Sequence, residues 1–161
     1  MQQGDLLLVR TNHFASRLIR FGQRSYGKPA SEWNHVAVSV GNGQLVEALT
    51  AGVVLSPEDK YPPSATRVIT VTPYGSLMPL AGNAMRHNSA SFARNQVGLK
   101  YGWATICCIA MKVLVKGRWN FSVSGTEICS GLAAQSLERL GYDWTPNDPG
   151  ELTPAFLALH V

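Results

Sequence analysis

Cysteine is scarce in this sequence, with three residues in 161 and two of them adjacent at Cys107 and Cys108. Neighbouring cysteines rarely bridge and an odd number leaves one over, so a disulfide framework is not expected and a reducing compartment fits best. No pair of cysteines or histidines has zinc-ligand spacing, and neither a metal nor another cofactor is indicated. Charge is also sparse. Asp, Glu, Lys and Arg make up 15% of the chain, and the net formal charge of +4 is spread without a basic run or a basic stripe interleaved with aromatics. Nucleic acid is therefore not an expected partner. Long apolar runs are missing too. The longest, Trp103 to Val115, is interrupted by Lys112 and falls short of the roughly 20 residues needed to cross a bilayer. It reads as a buried helix, and no transmembrane span is expected. No internal repeat, low-complexity tract or dividing linker is found, and a hydrophobic content of 45% can bury one core. A single domain over residues 1–161 is the expectation.

What is present is ordered along the chain. Asp5 to Arg10 holds an apolar run of strand length, and Phe14 to Phe21 has apolar residues at helical spacing. Gly22 to Glu32 reads as a loop. Trp33 to Val40 alternates with valines on one face, Gly41-Asn42-Gly43 is a turn signal, and Gln44 to Leu49 alternates again, which predicts an antiparallel hairpin. Pro57 to Ser64 reads as a loop, and Arg67 to Thr72 as a further strand. Beyond Pro79 the pattern becomes helical over Ala81 to Val97, Trp103 to Val115 and Cys129 to Leu140, the last ended by Gly141. Strands first and helices later predict an α+β fold, with helices packed on one side of an antiparallel sheet.

Two places carry chemistry. Ser124-Gly125-Thr126-Glu127-Ile128 supplies N-cap residues just before an apolar-periodic helix, which puts Cys129 in its first turn. Free backbone N–H groups and the positive end of the helix dipole favour a thiolate there, and the same groups can hold an oxyanion. A free cysteine is also commonly a small buried hydrophobe. Of the four histidines, His35 alone lies in a predicted strand beside a turn. Alternation puts His35, Ala37 and Ser39 on the face opposite the valines. With a three-residue Gly41-Asn42-Gly43 loop, Glu47 becomes a diagonal neighbour of His35 and can orient its imidazole, whereas a two-residue Asn42-Gly43 turn would place Glu47 on the other face.

Cys129-Ser130-Gly131-Leu132 at a helix start and His35-Val36-Ala37-Val38-Ser39-Val40-Gly41-Asn42-Gly43 resemble the nucleophile and base segments of the NlpC-type cell-wall peptidases, bacterial relatives of papain. The order is reversed, strands before cysteine, as in the circularly permuted branch that includes relatives of lecithin:retinol acyltransferase. Gly4-Asp5-Leu6-Leu7-Leu8 and Val97-Gly98-Leu99-Lys100-Tyr101-Gly102-Trp103 also resemble family features, so the likeness runs over nearly the whole chain.

The resemblance implies a permuted papain-like (NlpC-type) fold and a cysteine peptidase or amidase. Cys129 would be the nucleophile, His35 the base, Glu47 the orienting residue, and Tyr101 a tyrosine whose hydroxyl lines the site. Trp33, Asn34, Trp103 and Ser130 would border a substrate that is a peptide, amide or acyl compound, with peptidoglycan stem peptides the leading class. Two residues depart from the pattern. Ile128 stands where the peptidases usually have Asp, and Glu47 where the third residue is often His. Glu127-Ile128-Cys129-Ser130 is unlike the Asn-Cys-Glu-His motif of the acyltransferase relatives. Lipid or thioester acyl chemistry is thus an alternative, and a silent binding module of the same fold is another. The start of the chain has no secretory signal pattern, so the expected location is the cytoplasm as synthesised, with delivery to a wall requiring phage lysis or dedicated secretion.

Overall fold

The computed structural model describes residues 1–12, 14–24, 27, 30–73, 79–101, 126–127, 129–144 and 152–161. The predicted helix from Trp103 to Val115, with Cys107 and Cys108, lies outside them. Strand β1 is Leu6–Val9, helix α1 Phe14–Gly22, β2 His35–Gly41, β3 Gln44–Leu49, β4 Gly52–Pro57, β5 Thr66–Ile69 and α2 Pro79–Asn95. Two-residue strands β6 (Lys100–Tyr101) and β7 (Thr126–Glu127) precede α3 (Cys129–Glu138) and α4 (Pro154–His160). The fold is α+β, with a five-stranded antiparallel sheet in the order β4-β3-β2-β1-β5. No helix among the described residues is long and apolar enough to cross a membrane.

The unbroken apolar run of β1 follows from its place inside the sheet, where all four residues are buried. Leu6 and Leu8 join Val36, Val38, Val40, Val46, Ala48 and Val53 in the larger core, packed against Ala93 of α2 and Leu132, Ala133 and Leu137 of α3. Leu7, Val9, Ala37 and Leu45 point to the opposite face, where Tyr61 covers them. That cover comes from the Pro-rich segment after β4, which forms two short 3-10 turns at Glu58–Lys60 and Pro63–Ala65. A helix layer thus seals one face of the sheet and a loop the other.

The β2–β3 hairpin resolves its register in an unforeseen way. Gly41 pairs with Gln44, which makes Asn42-Gly43 a two-residue turn, and both residues have positive φ (57° and 69°) as a primed hairpin turn requires. The ladder then shifts between Ser39 and Gly41, so that Ser39 faces Leu45 and Val38 faces Val46. Gly41 itself has φ 80°, as a bulge glycine does. The extra residue restores the parity that a two-residue turn alone would invert. His35 and Glu47 consequently share a face although the turn is the short one.

Several elements differ from expectation, the two-residue strands β6 and β7 among them. β4 is absent from the sequence reading, and it pairs along its whole length with β3 from Gln44–Pro57 to Leu49–Gly52. β5 stops at Ile69 because the next backbone groups turn to side chains: Val71 N–H donates to Asp5 Oδ1 (3.1 Å), and Arg86 donates to the Val71 carbonyl. Arg86 Nη1 also reaches Asp5 Oδ1 (3.0 Å) and the Gln3 carbonyl (2.8 Å), so one ion pair ties β1, the end of β5 and α2 together. Helix α4 was not foreseen, although Thr153 caps it by accepting from Phe156 N–H (3.2 Å) and Pro154 fills its first turn.

One backbone relay leads towards the start of α3. Val53 N–H donates to Leu99 O and Gly98 N–H to Val53 O, both at 2.9 Å. A side chain at position 52 would put its Cβ 2.6 Å from Leu99 O, so only glycine fits there. The following residues Lys100 and Tyr101 pair in parallel with Thr126 and Glu127, two residues before Cys129. The edge of the sheet is thereby connected by hydrogen bonds to the segment that opens α3.

Candidate active site

Cys129 is the first residue of α3 and is 7% exposed, with its sulfur unbridged. The helix packs over β2 and β3, and nearly every side chain from Cys129 to Leu137 is buried. The His35 side chain and the backbone N–H groups of Val36 and Ser130 lie beside the sulfur and favour its thiolate. His35 lies three residues before Val38, the first residue of β2 recorded in the ladder with β3. At this end of β2 the Val36 amide faces the cysteine, and the helix start meets the imidazole.

His35 is held from its other side. Its Nε2 lies 2.8 Å from Glu47 Oε2, which leaves Nδ1 for the thiol. Glu47 is fully buried. Its Oε2 also accepts from the Tyr61 hydroxyl (2.6 Å), and its Oε1 accepts from Lys60 Nζ (2.5 Å). Ser56 adds a further hydrogen bond to the carboxylate, and its hydroxyl accepts from Lys60 at 3.2 Å. A carboxylate removed from water requires such donors, because an unpaired one would be neutralised by taking up a proton.

The electrostatics follow from these contacts. Burial by itself would lower the His35 pKa, but the hydrogen bonds to Cys129 and Glu47 and their negative charges outweigh it and raise the value to about 9. For Glu47, burial would raise the pKa, and the donors His35, Lys60, Ser56 and Tyr61 together hold it well below the usual carboxylate range. Burial likewise pushes the Cys129 thiol up, while His35 and the Val36 and Ser130 amides pull it down further, so the net shift is downward. Burial and the Glu47 charge push the Tyr61 hydroxyl up and keep it protonated as a donor. The lowered thiol and the raised imidazole both shift the pair towards thiolate and imidazolium relative to the two groups in water.

The remaining candidate residues have separate placements. The Asn34 amide is engaged at both ends, accepting from Thr11 N–H (2.9 Å) and donating to Thr11 Oγ1 (2.8 Å), so it clamps the segment after β1 to the start of β2. Trp33 is buried in the core, and its carbonyl accepts from Gln23 Nε2 (3.0 Å). Ser130 is 3% exposed and gives its backbone amide to the sulfur. The backbone of Tyr101 pairs with Glu127, and its side chain lies outside the described residues, as does Trp103. Ser56, Lys60 and Tyr61 were not singled out in the sequence. They lie at the end of β4 and in a Pro-rich loop without periodicity, and only the closing of that loop over the sheet brings them to Glu47. Compared with known proteins, the chain matches no protein-family model and no curated protein sequence.

Proposed function

We propose that this chain is a thiol hydrolase, a circularly permuted member of the papain-like architecture of the NlpC type, that cleaves an amide or peptide bond through Cys129, His35 and Glu47. The observation that carries the reading is the sulfur of Cys129 at the start of α3, beside an imidazole whose Nε2 is 2.8 Å from a buried carboxylate. Nucleophile, base and orienting group stand in the sequence of contacts that activated-thiol catalysis requires. The permuted relation is supported by chain order, since the strand bearing the base comes before the helix bearing the nucleophile.

In this mechanism the thiolate sulfur bonds to the carbonyl carbon and the π pair moves to oxygen. The oxyanion accepts from backbone N–H at the start of α3, where the first-turn donors have no intrahelical partner. Collapse breaks the C–N bond, and the amine leaves with the proton of the His35 imidazolium. Water then adds to the thioester, giving a proton to His35, and the C–S bond breaks to return thiolate and imidazolium. Glu47 holds the ring at Nε2 throughout. Peptidoglycan stem peptides are the substrate class that the sequence resemblance favours.

The test is hydrolysis of peptidoglycan fragments by the wild type and by Cys129→Ala, with phospholipid vesicles in parallel. Release of new amino groups by the wild type and background release by the variant are expected. Activity that survives in Cys129→Ala removes the nucleophile assignment, and turnover of phospholipid alone replaces the amide with an ester.

A further inference from the structure

A full carboxylate is a demanding partner for a histidine that must both take and give a proton. Its charge stabilises the imidazolium, and a catalytic pKa serves best near the working pH. Glu47 is fully buried, so water does little to moderate that charge. The structure places one ammonium group on it, Lys60 Nζ at 2.5 Å from Oε1, the oxygen that does not touch His35. Lys60 is one-third exposed, and its Nζ is also bonded to Ser56 Oγ and lies 5.2 Å from the Tyr61 ring centroid.

We propose that Lys60 is a positioning residue that acts through Glu47: its ammonium group offsets the carboxylate charge, so that Glu47 orients His35 without locking it as the imidazolium. Cys129, His35, Glu47 and Lys60 then form a cluster of two negative and two positive charges with no net charge. When His35 gives up its proton, Glu47 still has a counter-ion and remains an acceptor. Without Lys60 the same step would leave a buried carboxylate beside a neutral ring.

Among the described residues, the charged and titratable groups facing this cluster are few and belong to separate elements. Cys129 comes from α3, His35 from β2, and Lys60 and Tyr61 from the segment after β4. Glu58, on the same segment, is directed elsewhere, accepting from Ser39 Oγ at 2.9 Å and lying 3.6 Å from the Met1 amino group. Among the described residues, Lys60 is therefore the cation beside Glu47 whose removal changes the charge acting on it.

The inference rests on the proposed roles of His35 and Glu47, and its test needs no substrate. The titration of His35 is followed by NMR of its ring protons, assigned with His35→Gln, in the wild type, Lys60→Gln, Lys60→Met and Lys60→Arg. Lys60→Gln removes the charge and keeps a hydrogen-bond donor, on a side chain one bond shorter. Its His35 pKa is expected to rise by at least about half a pH unit, Lys60→Met should do the same, and Lys60→Arg should stay close to wild type. An unmoved titration in Lys60→Gln, or an equal rise in Lys60→Arg, overturns the proposal. A merely structural lysine would lower the thermal midpoint of the variants and leave the titration in place. If the chain hydrolyses no substrate but the Lys60 shift is present, the function fails and the electrostatic coupling stands.

Discussion

At the scale of single residues, the sulfur of Cys129 is a different group from a free thiol, because an imidazole and two backbone amides surround it. Its lowered pKa means that thiolate persists below the ordinary thiol range and is lost only as pH falls through the folded value. The thiolate absorbance difference between wild type and Cys129→Ala is expected to appear at lower pH than in His35→Ala, where the thiolate forms only on approaching about 8.5. The linked effects on stability have opposite signs. His35, raised from 6.5 to about 9, contributes stability that is fully present below 6.5 and lost as pH rises through 9. Cys129 contributes stability present above its unfolded value and lost as pH falls. Cys129 and His35 could be singled out in the sequence because each sits beside a local signal, N-cap residues in one case and a Gly-Asn-Gly turn in the other. Lys60 and Tyr61 could not, since nothing within a few residues of either points to position 47.

At the scale of elements, the site depends on counting residues in one hairpin. The short Asn42-Gly43 turn and the irregularity between Ser39 and Gly41 each invert the alternation, and together they cancel. Deletion of Val40 is expected to move Glu47 to the helix side of the sheet, abolish the proposed hydrolysis and shift the thiolate signal of Cys129 up towards the ordinary thiol range. A second variant with one glycine added to the turn should recover both. Sequence reading reached the correct face for Glu47 through a three-residue loop, whereas the protein uses a shorter turn and an extra strand residue. Alternation along a strand reveals which residues share a face, but a bulge depends on backbone geometry that side-chain pattern does not encode. β4 was missed for a related reason, since Val53-Val54-Leu55 is too short a run to stand out before Pro57. α4 could have been read from Thr153-Pro154, an N-cap followed by a first-turn proline.

At the scale of the whole molecule, the pair of buried Asp5 and half-buried Arg86 joins the start of the first strand to the first long helix of the core layer. Removing one partner from such a pair leaves the other charge uncompensated, so Asp5→Asn is expected to cost about 3 kcal/mol or more in urea unfolding. The α+β layering was legible because strands and helices are segregated along the sequence. The pair itself was not, because Arg86 is one of several arginines on helical stretches and only packing selects it. The meeting of Cys129 with His35 has a consequence for the history of each molecule. The two residues are far apart in the chain, and their contact exists only after α3 docks on a sheet whose β2 strand is already in register. Until then the cysteine has no imidazole to take its proton and no Val36 amide to hold its charge. The unfolded chain therefore carries an ordinary thiol, and the downward shift of its pKa belongs to the folded protein alone.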